Sequence, residues 1–209
     1  MDIRQLTPDD RGRHEVMTGI IVSHLTSPDM LIPMTKEEYE ETFAEGSSDV
    51  VLGLFNEKDE MTATSGLLGN VSDYAAEPEM AEILTHRCAE IGECMVHPQY
   101  RGNGYMLQLN QELERIAINS GIEYLLATAH PDNTASNNSL RKLGMQFLKV
   151  FDRHGYIRNI YVKELSSPKQ KQESTDYARY CQQQLDDMLE SMEDRCFGDM
   201  AEGQFVRSH

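Results

Sequence analysis

Three sets of residues stand where they could do chemistry. The first is the run Val96-His97-Pro98-Gln99-Tyr100-Arg101-Gly102-Asn103-Gly104-Tyr105. A strand pattern over 89–96 stops at His97-Pro98, and a turn with two glycines leads directly into a helical pattern. A helix N-terminus carries unpaired N–H groups and partial positive charge, so it holds phosphate well. Gly102 and Gly104 let the backbone curl so that several amides converge on a pyrophosphate. A Gly-x-Gly pair also serves as a plain strand-to-helix turn. The second set is Glu90 and Glu93 on the same strand. Either carboxylate suits a general base, and either is equally an ordinary solvated strand residue. Their opposite parity sends them to opposite faces of a sheet unless a bulge intervenes. The third is His130, which opens His130-Pro131-Asp132-Asn133 just after another strand. Active-site residues often sit at such a point, and so do purely structural histidines.

Two rival phosphate loops fail. A Walker loop needs Gly-Lys-Ser/Thr at the helix start, and that is absent. A dinucleotide fingerprint needs a third Gly at position 107, which is Leu107.

The elements that must position these residues follow from periodicity. Residues 3–7 read as a first strand, and Thr7-Pro8 opens a helix carrying Val16, Met17, Ile20, Ile21 and Leu25 at helical spacing. Ser27-Pro28 is expected to end it. Thr35-Lys36-Glu37-Glu38 is a capping box for a second helix to about position 44. Two β-rich runs, 49–56 and 61–69, flank a hairpin-like turn. The long connection 70–86 is either a functional loop or a surface excursion, with 79–86 expected to be helical. Residues 105–120 form an amphipathic helix stopped by Gly121, 124–129 a buried strand, and 134–143 a short helix closed by Gly144. Strands over 146–151 and 159–165 complete the set. The expected fold class is α/β: a mixed, mostly antiparallel central sheet with helices on both faces. Beyond it, 166–170 reads as a linker, and Tyr177, Cys181, Leu185, Met188 and Met192 mark one face of a C-terminal helical extension. The expected division is therefore 1–165 and 166–209.

With these motifs in place the sequence resembles the GNAT superfamily of acyltransferases, bacterial branch. The hallmark Arg/Gln-x-x-Gly-x-Gly/Ala is matched by Gln99, Gly102 and Gly104, preceded by Val96 and Pro98. The stretches Asn133-Thr134-Ala135-Ser136 and Leu140 to Met145 are similar to the family's second conserved region, and Arg158 to its late arginine. The resemblance is specific over 89–165, compatible before that, and does not cover 166–209. It implies acetyl-CoA as co-substrate. Backbone groups of Cys94, Met95 and Val96 would pair with the pantetheine arm. Amides of Arg101, Gly102, Asn103, Gly104, Tyr105 and Met106 would hold the pyrophosphate, with charge from Arg101. Asn133 would contact the pantetheine or order a splayed strand pair, or else simply cap the next helix. Glu90 matches the general-base position of the histone-acetylating branch and is the first candidate; Glu93 lies nearer the expected thioester. The family's frequent acid, a Tyr four residues before the helix-ending Gly, is Leu140 here. His130, Tyr105 and Tyr156 are the possible substitutes.

The expected activity is direct acetyl transfer to an amine of a small molecule or peptide. The alternatives are a non-catalytic acyl-CoA-binding regulator and an interaction protein working through its C-terminal helix. Composition narrows the partners. The 209 residues carry a formal net charge of −16, which repels nucleic acid and anionic membranes and could attract a cationic amine. No run of about 18 apolar residues is present, and the N-terminus lacks an apolar signal core, so a cytoplasmic monomer or homodimer is expected. The four cysteines form no CxxC pair and no zinc spacing, so they read as free thiols with no metal, and Cys94 as core.

Overall fold

The structure is a computed structural model. It describes residues 1–165 together with Arg179, Gln182 and Gln183, three exposed helical positions. The expected linker at 166–170, the helical face from Tyr177 to Met192 and Cys196 lie outside the described residues.

The chain runs β1 (Asp2–Gln5), α1 (Arg11–Ser23), α2 (Lys36–Thr42), β2 (Val50–Phe55), β3 (Met61–Leu68), β4 (Cys88–Val96), α3 (Tyr105–Asn119), β5 (Tyr124–Ala129), α4 (Thr134–Lys142), β6 (Gln146–Arg153) and β7 (Tyr156–Glu164). The strands form one sheet in the order β1-β2-β3-β4-β5-β7-β6. Every pair is antiparallel except β4 with β5. That parallel pair needs a crossover, and α3 supplies it.

Helices cover both faces. On one, Leu109, Leu113 and Ala117 of α3 pack with Leu140 and Leu143 against Leu54, Ile91, Leu125 and Tyr161. On the other, Met17 and Ile21 of α1 meet Met95, and Tyr39 and Phe43 meet Val51 and Phe55. Tyr74 and Met80 cover Leu126, Phe151 and Ile160 on that second side.

Local chemistry explains where elements depart from the expected boundaries. The amide and hydroxyl of Thr7 both donate to the Asp10 carboxylate, which tightens Pro8–Asp10 into a 3-10 turn before α1 begins. Helix α1 ends at Ser23, short of Ser27, where the Ser23 hydroxyl donates to the Ile20 carbonyl at 2.8 Å. The Thr35–Glu38 capping box forms as expected. The helix expected at 79–86 is instead part of a chain of 3-10 turns, Ser72–Ala76, Pro78–Met80 and Ile83–Thr85. Burial of Tyr74 and Met80, not helical periodicity, holds that segment down. The last two strands approach each other more closely than expected. His154 and Gly155 both take positive φ (56° and 87°) and make a two-residue hairpin turn.

Asn137 ties α4 to the sheet. Its Nδ2 donates to the carbonyls of His130, Pro131 and Asn133, while its Oδ1 accepts from Asn159 Nδ2 (2.8 Å) and Tyr161 Oη (2.7 Å). Replacing it with Leu strands two buried donors. The expected cost is about 2–4 kcal/mol in urea unfolding; a loss below about 1 kcal/mol would show that water replaces the amide.

Candidate active site

The site begins with one extra residue in β4. Thr64 pairs with Met95 and Gly66 with Gly92, so Ser65 alone faces both Glu93 and Cys94. This is a β-bulge, and Glu93 sits in it with φ of 49°. A left-handed backbone costs a non-glycine residue of the order of 1 kcal/mol. Thr64 Oγ1 fastens the bulge by donating to the Glu93 carbonyl at 3.0 Å. Beneath it, Ser65 donates to Asn110 Oδ1 at 2.7 Å, and Cys94 lies against both. Burial pushes the Cys94 thiol up to about 12, so it is an inert core group.

The bulge does two things. It bends β4 away from β5: their parallel pairing covers only 88–91 with 124–127, although both strands run on. The outer edge of β4 from Gly92 to Val96 thus has no strand partner on its β5 side, leaving room for an extended ligand to add there. It also resets the side-chain alternation. Cys94 and Val96 pack on the α3 face, while Met95 meets Thr18 of α1, and Glu93 turns toward α1 and α2.

Past Val96, the 3-10 turn Pro98–Tyr100 leads to Gly102 and Gly104, both at positive φ (82° and 76°). Asn103 Nδ2 donates to the Tyr100 carbonyl at 3.0 Å and braces the loop. A Cβ placed on either glycine would meet nothing within 4 Å, so the space beside both is open. The first amides of α3 lack intrahelical partners. Gln99 and Arg101 are exposed at its rim, and Tyr105 and Met106 are half-buried at the helix start. Open space beside the glycines and a helix N-terminus directly after them fit a pyrophosphate.

The three candidate catalytic side chains sit in three separate networks. Glu90 is buried and held by Arg153 at both oxygens, Nη1 at 2.7 Å and Nη2 at 3.1 Å. Arg153 also reaches Asp73 and Thr128. Burial opposes its charge, but Glu90 and the groups around it hold its pKa above the usual arginine value. Glu93 is 9% exposed, and its Oε2 has no hydrogen-bond partner. Burial, with smaller repulsion from Glu38 and Glu90, raises its carboxyl to about 8. His130 is held at both ring nitrogens: Nδ1 accepts from the Asp132 amide at 3.1 Å, and Nε2 lies 3.3 Å from Asp29. A hydrogen bond from Ser27 is the largest of the effects that lower the Asp29 carboxyl.

Asn133 caps α4, its Oδ1 accepting from the Ser136 amide. Leu140 is core. Tyr156 is partly exposed under the Arg158 guanidinium, and Arg158 donates to the Asp29 carbonyl at 2.6 Å. Sequence reasoning passed over Arg153, Asn110 and His14. His14 lies three residues before Met17 and seven before Ile21, on the buried face of α1, and helical periodicity extended backwards would have reached it.

The family described as Acetyltransferase (GNAT) matches residues 27–145. The chain belongs to the GNAT family of acetyltransferases. Its enzyme class is that of an N-acetyltransferase. Solved structures agree on the fold. An N-acetyltransferase from Staphylococcus aureus superposes with a TM-score of 0.61 at 19% identity, covering 79% of this chain and 98% of that one. The ribosomal-protein-S18-alanine N-acetyltransferase from Escherichia coli gives 0.58 at 15% identity, covering 79% and 94%. A GNAT acetyltransferase from Listeria monocytogenes gives 0.59 at 17%, covering 78% and 94%. All three are bacterial. No curated protein matches the sequence. Among the described residues no helix is long and apolar enough to cross a membrane.

Two predictions follow from the carboxylates. Arg153→Met leaves Glu90 charged and unpaired in the interior, at an expected cost of about 3–5 kcal/mol. Adding Glu90→Gln should recover much of that loss in a double-mutant cycle; additive losses would show the two groups are uncoupled. For Glu93, the native carboxyl titrates near 8 and the unfolded one near 4.5. Between these values the native state keeps a proton that the unfolded state has released, so stability falls as pH rises. Glu93→Gln should therefore gain stability relative to wild type from about pH 4.5 to about pH 8, with no trend above, as read by urea melts. A flat difference would mean Glu93 is ionised throughout.

Proposed function

We propose that this GNAT protein transfers an acetyl group from acetyl-CoA directly to an amine of a small molecule or peptide, with Glu93 as the proton acceptor. The observation that carries the reading is the strained bulge. It sets a buried carboxylate where β4 parts from β5, on the strand that leads into the open glycine turn.

Each part has a physical task. Arg101, Gly102, Asn103, Gly104, Tyr105 and Met106 would hold the pyrophosphate through amides, the helix dipole and one guanidinium. The free edge of Cys94, Met95 and Val96 would hydrogen-bond the pantetheine arm. Acetyl-CoA supplies the acetyl thioester. The acceptor amine arrives largely as ammonium and must lose a proton before it can attack. A carboxylate raised to about 8 is far better matched to that proton than an exposed one. Both oxygens of Glu90 are taken by Arg153, which favours Glu93 over the position suggested by resemblance. Asn133 serves as helix cap and His130 is engaged at both nitrogens, so neither is assigned a proton step.

The test is thiol release from acetyl-CoA across a panel of amines and peptides, with two variants. Glu93→Gln should lower kcat about 10²–10⁴-fold at unchanged acetyl-CoA affinity. Gly104→Ala puts a methyl group in the open space at a backbone strain of roughly 1 kcal/mol, and should weaken acetyl-CoA at least about tenfold in calorimetry while the fold persists. Tight binding without turnover on any acceptor would instead support an acyl-CoA-binding regulator. Unchanged affinity in Gly104→Ala would remove the cofactor assignment.

A further inference from the structure

Behind Glu93 lies a buried cluster with an idle nitrogen. His14 of α1 is fully enclosed, yet its Nε2 has no hydrogen-bond partner. Glu93 Oε2 has none either, and the two atoms are 3.8 Å apart. On the other side of the ring, Nδ1 is 3.0 Å from Tyr39 Oη. Thr18 Oγ1 sits 3.1 Å from that same oxygen and donates to the His14 carbonyl at 3.0 Å. The rings of Tyr39 and Phe43 flank the imidazole at 5.6 and 5.5 Å between centroids and set its plane. Native interiors seldom leave one polar atom unpaired, and here two face each other.

We propose that His14 is a positioning residue for Glu93: the Thr18 hydroxyl shares its hydrogen between the His14 carbonyl and Tyr39 Oη, Tyr39 donates to Nδ1, the ring hydrogen sits on Nε2, and that N–H holds Oε2 of the ionised carboxylate, leaving Oε1 to take the acceptor's proton. The inference rests on the reading of Glu93 as proton acceptor. The present separation is about 1 Å longer than a hydrogen bond, a gap that a charge on Glu93 closes. In the proton step the ammonium N–H bond breaks, its electron pair stays on nitrogen, and the proton goes to Oε1. His14 donates a hydrogen bond and changes no charge.

The surroundings agree with a neutral ring. Burial lowers the His14 pKa to about 4, with Glu15 opposing. The groups facing the pair are Arg11, Glu15 and Thr18 on α1, Glu38 and Tyr39 on α2, and Glu90 on β4. Arg11 is bonded to Glu15 at 2.8 Å. Glu38 and Glu90 both oppose ionisation of Glu93, so a donor on Oε2 is what a base at this place needs.

The experiment separates a donor at Nε2 from mere filling of space. In His14→Gln the side-chain amide nitrogen reaches about as far as Nε2; in His14→Asn it reaches only as far as Nδ1. Ionisation of Glu93 is followed in the full chain by carbon-13 NMR of its carboxyl, with Glu93→Gln for assignment. Wild type should titrate near pH 8 and His14→Gln close to it. His14→Asn should titrate about one unit higher or more. Tyr39→Phe, which keeps the volume but frees the tautomer, should shift upward by less, and it stands in if His14→Asn does not fold. Equal midpoints in wild type and His14→Asn, or equal shifts in the Asn and Gln variants, would overturn the proposal. In parallel, the rising limb of kcat/KM against pH should follow the NMR midpoint in each protein. If the carboxyl moves and the rate profile does not, the role of Glu93 as base falls while the contact with His14 stands.

Discussion

The bulge in β4 is the constraint on which the rest depends. One residue more than the partner strand can match forces Glu93 into a left-handed backbone. The strain is small beside what it arranges. Without it, β4 would stay alongside β5 to the end and the slot between them would close. The carboxylate would also face α3 instead of α1 and α2. Thr64, Ser65 and Asn110 form the scaffold that makes the irregular turn persist.

Two carboxylates three positions apart on one strand end in opposite surroundings. Glu90 has a bidentate guanidinium that answers both of its oxygens. Glu93 has no cation, only two other acids and an imidazole too deeply buried to be charged. Desolvation then dominates and lifts its proton affinity. The same burial therefore leaves one group locked in an ion pair and the other with a raised proton affinity; the difference lies in the partner, not in the depth.

Much of this was legible in the sequence, and the parts that were not share a cause. The glycine turn, the Thr35 capping box, the apolar face of α3 and the Gly stops are local signals, and each forms where expected. Nothing within β4 itself marks an extra residue, because a bulge is a property of two strands compared. The pairing of Glu90 with Arg153 joins positions 63 apart, and that of His14 with Glu93 joins 79; no window of sequence holds either. The 79–86 stretch reads as helical, yet the connection folds as 3-10 turns, with Tyr74 and Met80 pinned individually by the sheet.

The bulge also acts as a phase boundary for any transfer of roles between homologous sequences. Counting back from Pro98 gives the correct inward or outward sense only as far as Glu93. Counting forward from Cys88 gives it only as far as Gly92. A relative whose strand is one residue shorter would align here without a visible break in the glycine motif. It would nevertheless present its neighbouring side chain to α1. In this chain the side chain that β4 presents to α1 is therefore set by the length of a strand as much as by the letter at a column.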